Sequence, residues 1–153
     1  MTEPESAGDF IVHAGLIATR LDGLWRGVLV EGPSGAGKSD LALRALDQGF
    51  QLVADDRTVL WLSGGRLFGR APESLVGLLE VRGLDVVRAP SLLLAQVALV
   101  VRCNVAERIP EPAFAHHLGV ATPMIELDPR EASAPAKLSR AIGLFDARRN
   151  RRI

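Results

Sequence analysis

Tyrosine is absent from this chain, and one cysteine, Cys103, stands alone among 153 residues. A lone cysteine excludes an internal disulfide framework and any thiolate metal cluster, and it suits a reducing, cytoplasmic setting. Aromatic residues amount to 5%, too few for the base-stacking platforms of single-strand nucleic-acid binders. Charge of one sign is lacking as well: 18 basic side chains balance 18 acidic ones. No bulk field therefore draws the chain to nucleic acid or to a membrane surface. The longest apolar run, residues 92–101, carries Gln96 and falls far short of the ~20 residues of a membrane-spanning helix. The opening MTEPESAGDF is acidic and polar, without the basic and apolar regions of a signal peptide. The expectation is a cytoplasmic protein that contacts neither nucleic acid nor membrane.

What is present is the mixture of a folded domain, 48% apolar and 24% charged residues. Residues 1–8 read as a flexible arm, 9–147 as a single domain and 148–153 as a basic tail. FIVHAGLIAT, from Phe10, reads as one strand, Asp22-Gly23 as a turn, and residues 25–30 as the returning strand. Residues 39–46 (SDLALRAL) have apolar side chains at helical spacing, and Gly49 is placed to end that helix. Residues 50–54 form a short apolar strand. Residues 58–62 and 66–68 flank Ser63-Gly64-Gly65 as a hairpin. Further strands are predicted over 78–81 and 92–101. The segment 107–122, with two prolines and two histidines, is expected to be irregular with a short helix near 114–118. Residues 124–127 read as a last strand. Ser133, with Pro135 just inside, starts a closing helix that runs towards Arg148. The whole predicts an α/β domain on a mixed β-sheet.

The stretch GPSGAGKSD, residues 32–40, fits G-x-x-x-x-G-K-[ST] in full and lies between an apolar strand and a helix. Glycine lets the backbone wrap closely enough for its N–H groups to face phosphate oxygens, and the following helix adds its positive end. In such a loop Lys38 reaches the β- and γ-phosphates and the Ser39 hydroxyl ligates Mg²⁺. The loop candidates are thus Gly32, Pro33, Ser34, Gly35, Ala36, Gly37, Lys38, Ser39 and Asp40. Asp55-Asp56 follows the strand 52–54. One aspartate there suits a hard cation, and a second is free to take a proton from a hydroxyl nucleophile; a turn with capping aspartates is the plain alternative. Glu80 and Arg82, two apart on a predicted strand, would share a face, either as an exposed pair or as parts of one site. Read by themselves, His13 and His116-His117 are structural or surface histidines. Four arginines between 148 and 152 are a solvated helix end or a docking patch.

Taken together, His13, GPSGAGKSD, LVADDR (52–57) and EVRGL (80–84), in that order, resemble the catalytic domain of HPr kinase/phosphorylase. That bacterial family phosphorylates a serine of the phosphocarrier HPr, and the likeness covers about residues 10–145, in the manner of short proteobacterial forms. The resemblance implies a phosphate-loop α/β fold akin to the nucleotide-binding part of phosphoenolpyruvate carboxykinase. It implies ATP and Mg²⁺ as cofactors, an HPr-type phosphocarrier as protein partner, and a homo-oligomer, the longer members being hexamers. Carried over by position, Asp55 is the base towards the target serine and the acid in the reverse reaction. Lys38 and Ser39 handle phosphates and metal, Asp56 and Glu80 are further metal ligands, and His13 and Arg82 lie in the active site. The sequence departs from the family at Asp85, where E-x-R-G-x-G has glycine, in a longer interval between His13 and Gly32, and in the late arginine-rich loop. For that loop Arg130, in IELDPRE, is the one candidate. The expected activity is serine phosphorylation with phosphorolysis as its reverse arm, regulating sugar or nitrogen phosphotransferase signalling. A non-catalytic nucleotide sensor and a small-molecule kinase are the competing readings.

Overall fold

The computed structural model describes residues 10–104 and 111–150. The predicted arm, 1–8, and residues 151–153 of the predicted tail lie outside the described residues. The elements run β1 (Phe10–Val12), β2 (Ala14–Leu21), β3 (Leu24–Glu31), α1 (Lys38–Leu46), β4 (Gln51–Ala54), β5 (Thr58–Ser63) and β6 (Arg66–Arg70). They continue β7 (Leu78–Val81), β8 (Asp85–Arg88), β9 (Ala95–Cys103), β10 (Ala113–His117), β11 (Val120–Leu127) and α2 (Ala134–Asn150).

The main sheet is mixed, in the order β1-β5-β6-β9-β3-β2-β4, with β11 on β9 and β10 on β11. Its centre is parallel: β9 pairs in parallel with β3 on one side and with β11 on the other. Apolar residues without strict alternation are what such a strand needs, because both faces are covered. In β3, Val28 and Val30 face α1 and α2, whereas Leu29 belongs to the opposite core with Leu16, Leu60 and Leu67. β9 divides the same way, with Leu99 and Val101 towards the helices and Val97 and Val100 away. The consequence for function is positional. The parallel strands all end at one edge, at Glu31, Cys103 and Leu127, and the phosphate-loop motif leaves from that edge, where α/β proteins place ligands.

Turn chemistry behaves as the sequence predicts. Asp22-Gly23 (φ 52° and 78°) closes β2–β3, and Gly64-Gly65 (φ 59° and 75°) closes β5–β6. Left-handed values at both central residues match the right-handed twist of a hairpin. Gly49 (φ 91°) ends α1.

Five expectations need correction. FIVHAGLIAT is two strands, because the chain changes partner at His13: β1 pairs with β5, and β2 with β3 and β4. The expected helix near 114–118 is instead the strand β10, paired along its length with β11. Exposed Phe114 (52%) beside buried Ala115 (2%) is a period of two, and Leu118-Gly119 (φ 49° and 81°) supply the tight turn. β11 correspondingly begins at Val120 rather than 124 and holds Pro123 within its run. The strand expected over 92–101 starts at Ala95, since Leu92 N donates to Leu52 O (2.9 Å) and holds the preceding segment against β4. Finally, Glu80 and Arg82 do not share a strand face: Glu80 is in β7, but Arg82 lies in the turn to β8, a strand the sequence reading missed.

Candidate active site

The glycine loop begins where β3 stops. Gly32 and Gly37 take φ values of 157° and 103°, and Gly35 takes 80°, so the loop uses conformations that side chains rarely adopt. Space is restricted as well. A Cβ on Gly32 would approach Cys103 Cβ to 3.0 Å, and one on Gly37 would meet Pro129 Cγ at 3.3 Å. Pro33, Ser34 and Gly35 at the loop's crown are exposed. Lys38 is buried at its base, and its ammonium donates to the carbonyls of Gly32 (2.6 Å) and Pro33 (3.0 Å). One cation thereby closes the loop on itself. The N-cap of α1 is Gly37, which offers no capping side chain, so the first N–H groups of the helix stay available to an acceptor. Asp40, among the loop candidates, accepts a hydrogen bond at its carboxylate from Arg44 one turn on (3.1 Å).

Asp55 leaves the end of β4 and meets two other segments. Its Oδ1 accepts the Ser39 hydroxyl at 2.8 Å and its Oδ2 accepts the Glu80 amide at 2.9 Å. A single carboxylate therefore joins the first turn of α1 to β7. Its neighbour Asp56 sits at φ 66°, which aspartate tolerates better than most residues. That backbone turn sends the carboxylate the other way, to His13 Nε2 at 2.7 Å. His13 thus lies beside the acidic pair, its partner being Asp56 rather than Asp55. The Glu80 side chain and Arg82 are exposed on the β7–β8 hairpin. The position where the family has glycine, Asp85, opens β8 with no left-handed backbone; Gly83 (φ 81°) makes the turn instead.

The residues fit a hard divalent cation. A serine hydroxyl and a carboxylate oxygen in contact at the foot of a phosphate loop are the oxygen donors Mg²⁺ takes, with water and phosphate supplying the rest. Among the described residues no group of three or more His, Cys, Asp or Glu side chains could hold a metal alone.

Some neighbours of the loop escaped the sequence reading. Arg44 donates to the backbone carbonyls of Pro129 and of Glu131 (3.1 Å), fastening the 128–131 segment, with Arg130, beside the loop. Glu31, the last residue of β3, accepts from His117 Nε2 (2.8 Å) and Arg102 Nε (3.4 Å). The His117 hydrogen bond, ahead of its charge and of Arg102, holds the Glu31 carboxyl below the ordinary range, while partial burial opposes the shift. Cys103, under Gly32, has its thiol pushed up to about 11 by burial, with Lys38 pulling it down and Asp128 pushing it up. No local pattern announces these contacts; each joins residues tens of positions apart.

A glycine loop of the G-x-x-x-x-G-K-[ST] pattern at the carboxyl edge of parallel strands, backed by a hydroxyl–carboxylate pair, sits on a mixed-sheet α/β domain. The chain belongs to the HPr Serine kinase C-terminal domain family, whose model matches residues 9–96. It is 46% identical over 66 residues to an HPr kinase/phosphorylase of Clostridium tetani, covering 43% of this chain and 22% of that protein. It is 45% identical over 67 residues to one of Streptococcus thermophilus, with the same coverage. The match thus spans about a fifth of the length of these curated relatives. The fold agrees with the solved Hpr(Ser) kinase/phosphatase from Coxiella burnetii at a TM-score of 0.76 and 23% identity, over 92% of this chain and 93% of that one. No helix among the described residues is long and apolar enough to cross a membrane.

Proposed function

We propose that this chain is an ATP-dependent protein-serine kinase that acts on an HPr-type phosphocarrier and also runs the reverse, phosphorolytic reaction. The observation that carries this reading is Asp55, whose two carboxylate oxygens touch Ser39 and the Glu80 amide at the foot of the phosphate loop. A loop that only binds nucleotide has no need of a base there.

In the forward direction the loop amides and Lys38 hold the triphosphate. Lys38 exchanges a carbonyl of its own loop for a phosphate oxygen and stabilises charge as it develops. Mg²⁺, when bound, would neutralise charge on the triphosphate, and Ser39 with Glu80 would hold it; Asp56 would join them only by giving up its contact with His13. Asp55 takes the proton of the incoming serine hydroxyl, and its contact with the Glu80 amide fixes the carboxylate's orientation while it does so. In reverse, Asp55 returns the proton to the serine oxygen as inorganic phosphate receives the phosphoryl group. His13 steadies the acidic pair through Asp56, and exposed Arg82 is placed to meet the phosphorylated partner. The arrangement fits a protein substrate, because Asp56, Glu80 and Arg82 all lie exposed at the surface.

The test is acid-stable labelling of a purified phosphocarrier by this chain with Mg²⁺ and γ-labelled ATP, followed by addition of inorganic phosphate. Label on serine, absent with Lys38→Ala and removed by phosphate, is the expected result. Nucleotide binding without transfer to any carrier would replace this reading by that of a sensor.

A further inference from the structure

Glu31 is an awkward residue in its position. It is the last residue of β3, directly before Gly32, so a carboxylate stands at the base of a loop built to collect phosphate. At short range two negative groups repel, and water screens them poorly where side chains are only partly exposed. Glu31 exposes 20% of its side chain.

Both of its oxygens are engaged, and by different elements. Oε1 receives His117 Nε2 from the end of β10, and Oε2 receives the guanidinium of Arg102 from β9. His117 is itself mostly covered, with 11% of its side chain exposed, and its Nδ1 is buried without a hydrogen-bond partner. Arg102 brings the permanent positive charge and His117 a directed N–H.

We infer that His117 and Arg102 are positioning residues for the phosphate loop: together they hold and neutralise the Glu31 carboxylate, so that the loop accepts a polyanion. The inference rests on the nucleotide-binding reading of that loop. It also assigns the β10–β11 hairpin, which brings none of the residues named for the reaction, a part in nucleotide affinity.

The experiment is a double-mutant cycle read by titrating a fluorescently labelled ATP in Mg²⁺, with thermal unfolding of each variant measured without nucleotide. His117→Ala and Arg102→Ala should each weaken affinity by roughly threefold or more, the scale of coupling between contacting residues. Glu31→Gln should bind at least as tightly as wild type. In the Glu31→Gln background, both alanine substitutions should fall within about twofold of that background. His117→Gln, which keeps an N–H donor, should retain affinity where His117→Ala does not. A purely structural role would lower thermal stability and leave the affinity losses intact after Glu31→Gln; that result, or no loss from either alanine, overturns the inference. Should His117→Ala fail to fold, the Arg102 arm decides alone. No nucleotide binding by the wild-type chain would instead remove the functional reading beneath it.

Discussion

Ser39 and Asp55 are joined by a 2.8 Å hydrogen bond, the hydroxyl donating to Oδ1, while Oδ2 of the same carboxylate accepts the Glu80 amide. An amide in place of that carboxylate preserves both contacts, since its oxygen can keep Glu80 and its NH₂ can donate to the rotatable Ser39 hydroxyl. It cannot accept a proton. Asp55→Asn should therefore keep nucleotide affinity within a few-fold while phosphoryl transfer falls by roughly a hundredfold or more. Labelling of the phosphocarrier beside nucleotide titration measures the two together; near-normal transfer would take the base away from Asp55.

Asp56 invites a comparison of stability rather than rate. Its φ of 66° is easy for glycine and acceptable for asparagine, and costs other residues about 1 kcal/mol or more. Its ion pair with His13 is half exposed on both sides and adds little to stability. Denaturant unfolding should place Asp56→Asn and Asp56→Gly close to wild type and Asp56→Ala about 1 kcal/mol below. An alanine variant as stable as the glycine variant would mean that the backbone relaxes.

Two glycines of the sheet should fail to different degrees. A Cβ at Gly69 would lie 2.7 Å from Leu16 Cδ2 and 2.9 Å from Thr58 Cγ2, side-chain atoms with some freedom. At Gly27 it would lie 2.6 Å from the backbone oxygen of Gln96, in the pairing of β3 with β9, where nothing can rotate away. Gly69→Ala should cost about 1–3 kcal/mol, the usual range for overpacking, and Gly27→Ala clearly more. Urea midpoints of the two variants give the ranking.

Cys103 should be a slow thiol. Burial raises its pKa to about 11 from an ordinary 9.0, and only the thiolate reacts. Alkylation of the native protein should be negligible near neutral pH and climb steeply above pH 10, whereas the urea-unfolded chain reacts as an ordinary cysteine. The sign follows from which form the fold prefers. The folded pKa lies above the unfolded one, so this group's contribution to stability is complete below about pH 9 and declines as pH rises towards about 11. Fast alkylation of the native chain at pH 7.5 would show that the thiol opens to solvent.

Much of this molecule is legible in its sequence because its signals are local. The phosphate loop, the α1 helix, the Asp22-Gly23 and Gly64-Gly65 turns and the start of α2 each rest on a few adjacent residues with their own conformational demands. The β10–β11 hairpin misleads, since Phe114 to His117 is short, and its strand character comes from pairing with β11 rather than from its own composition. The break of the first strand at His13 is likewise invisible, being a change of partner between β5 and β3. Of the site, the loop and the acidic pair could be read directly. That Asp55 takes Ser39 and Glu80 while Asp56 takes His13 depends on one left-handed residue, and β-strand spacing alone says nothing of it. Glu31, His117 and Arg102 carry no motif, and only the meeting of three strand ends brings them together.

The Glu80 amide makes a built-in observer of the chemistry next to it. A backbone N–H that donates to a carboxylate resonates differently once that carboxylate gains a proton or turns away. A single amide signal, followed by NMR as nucleotide, metal and phosphocarrier are added in turn, would therefore register the state of Asp55 with no label in the site and no side chain altered.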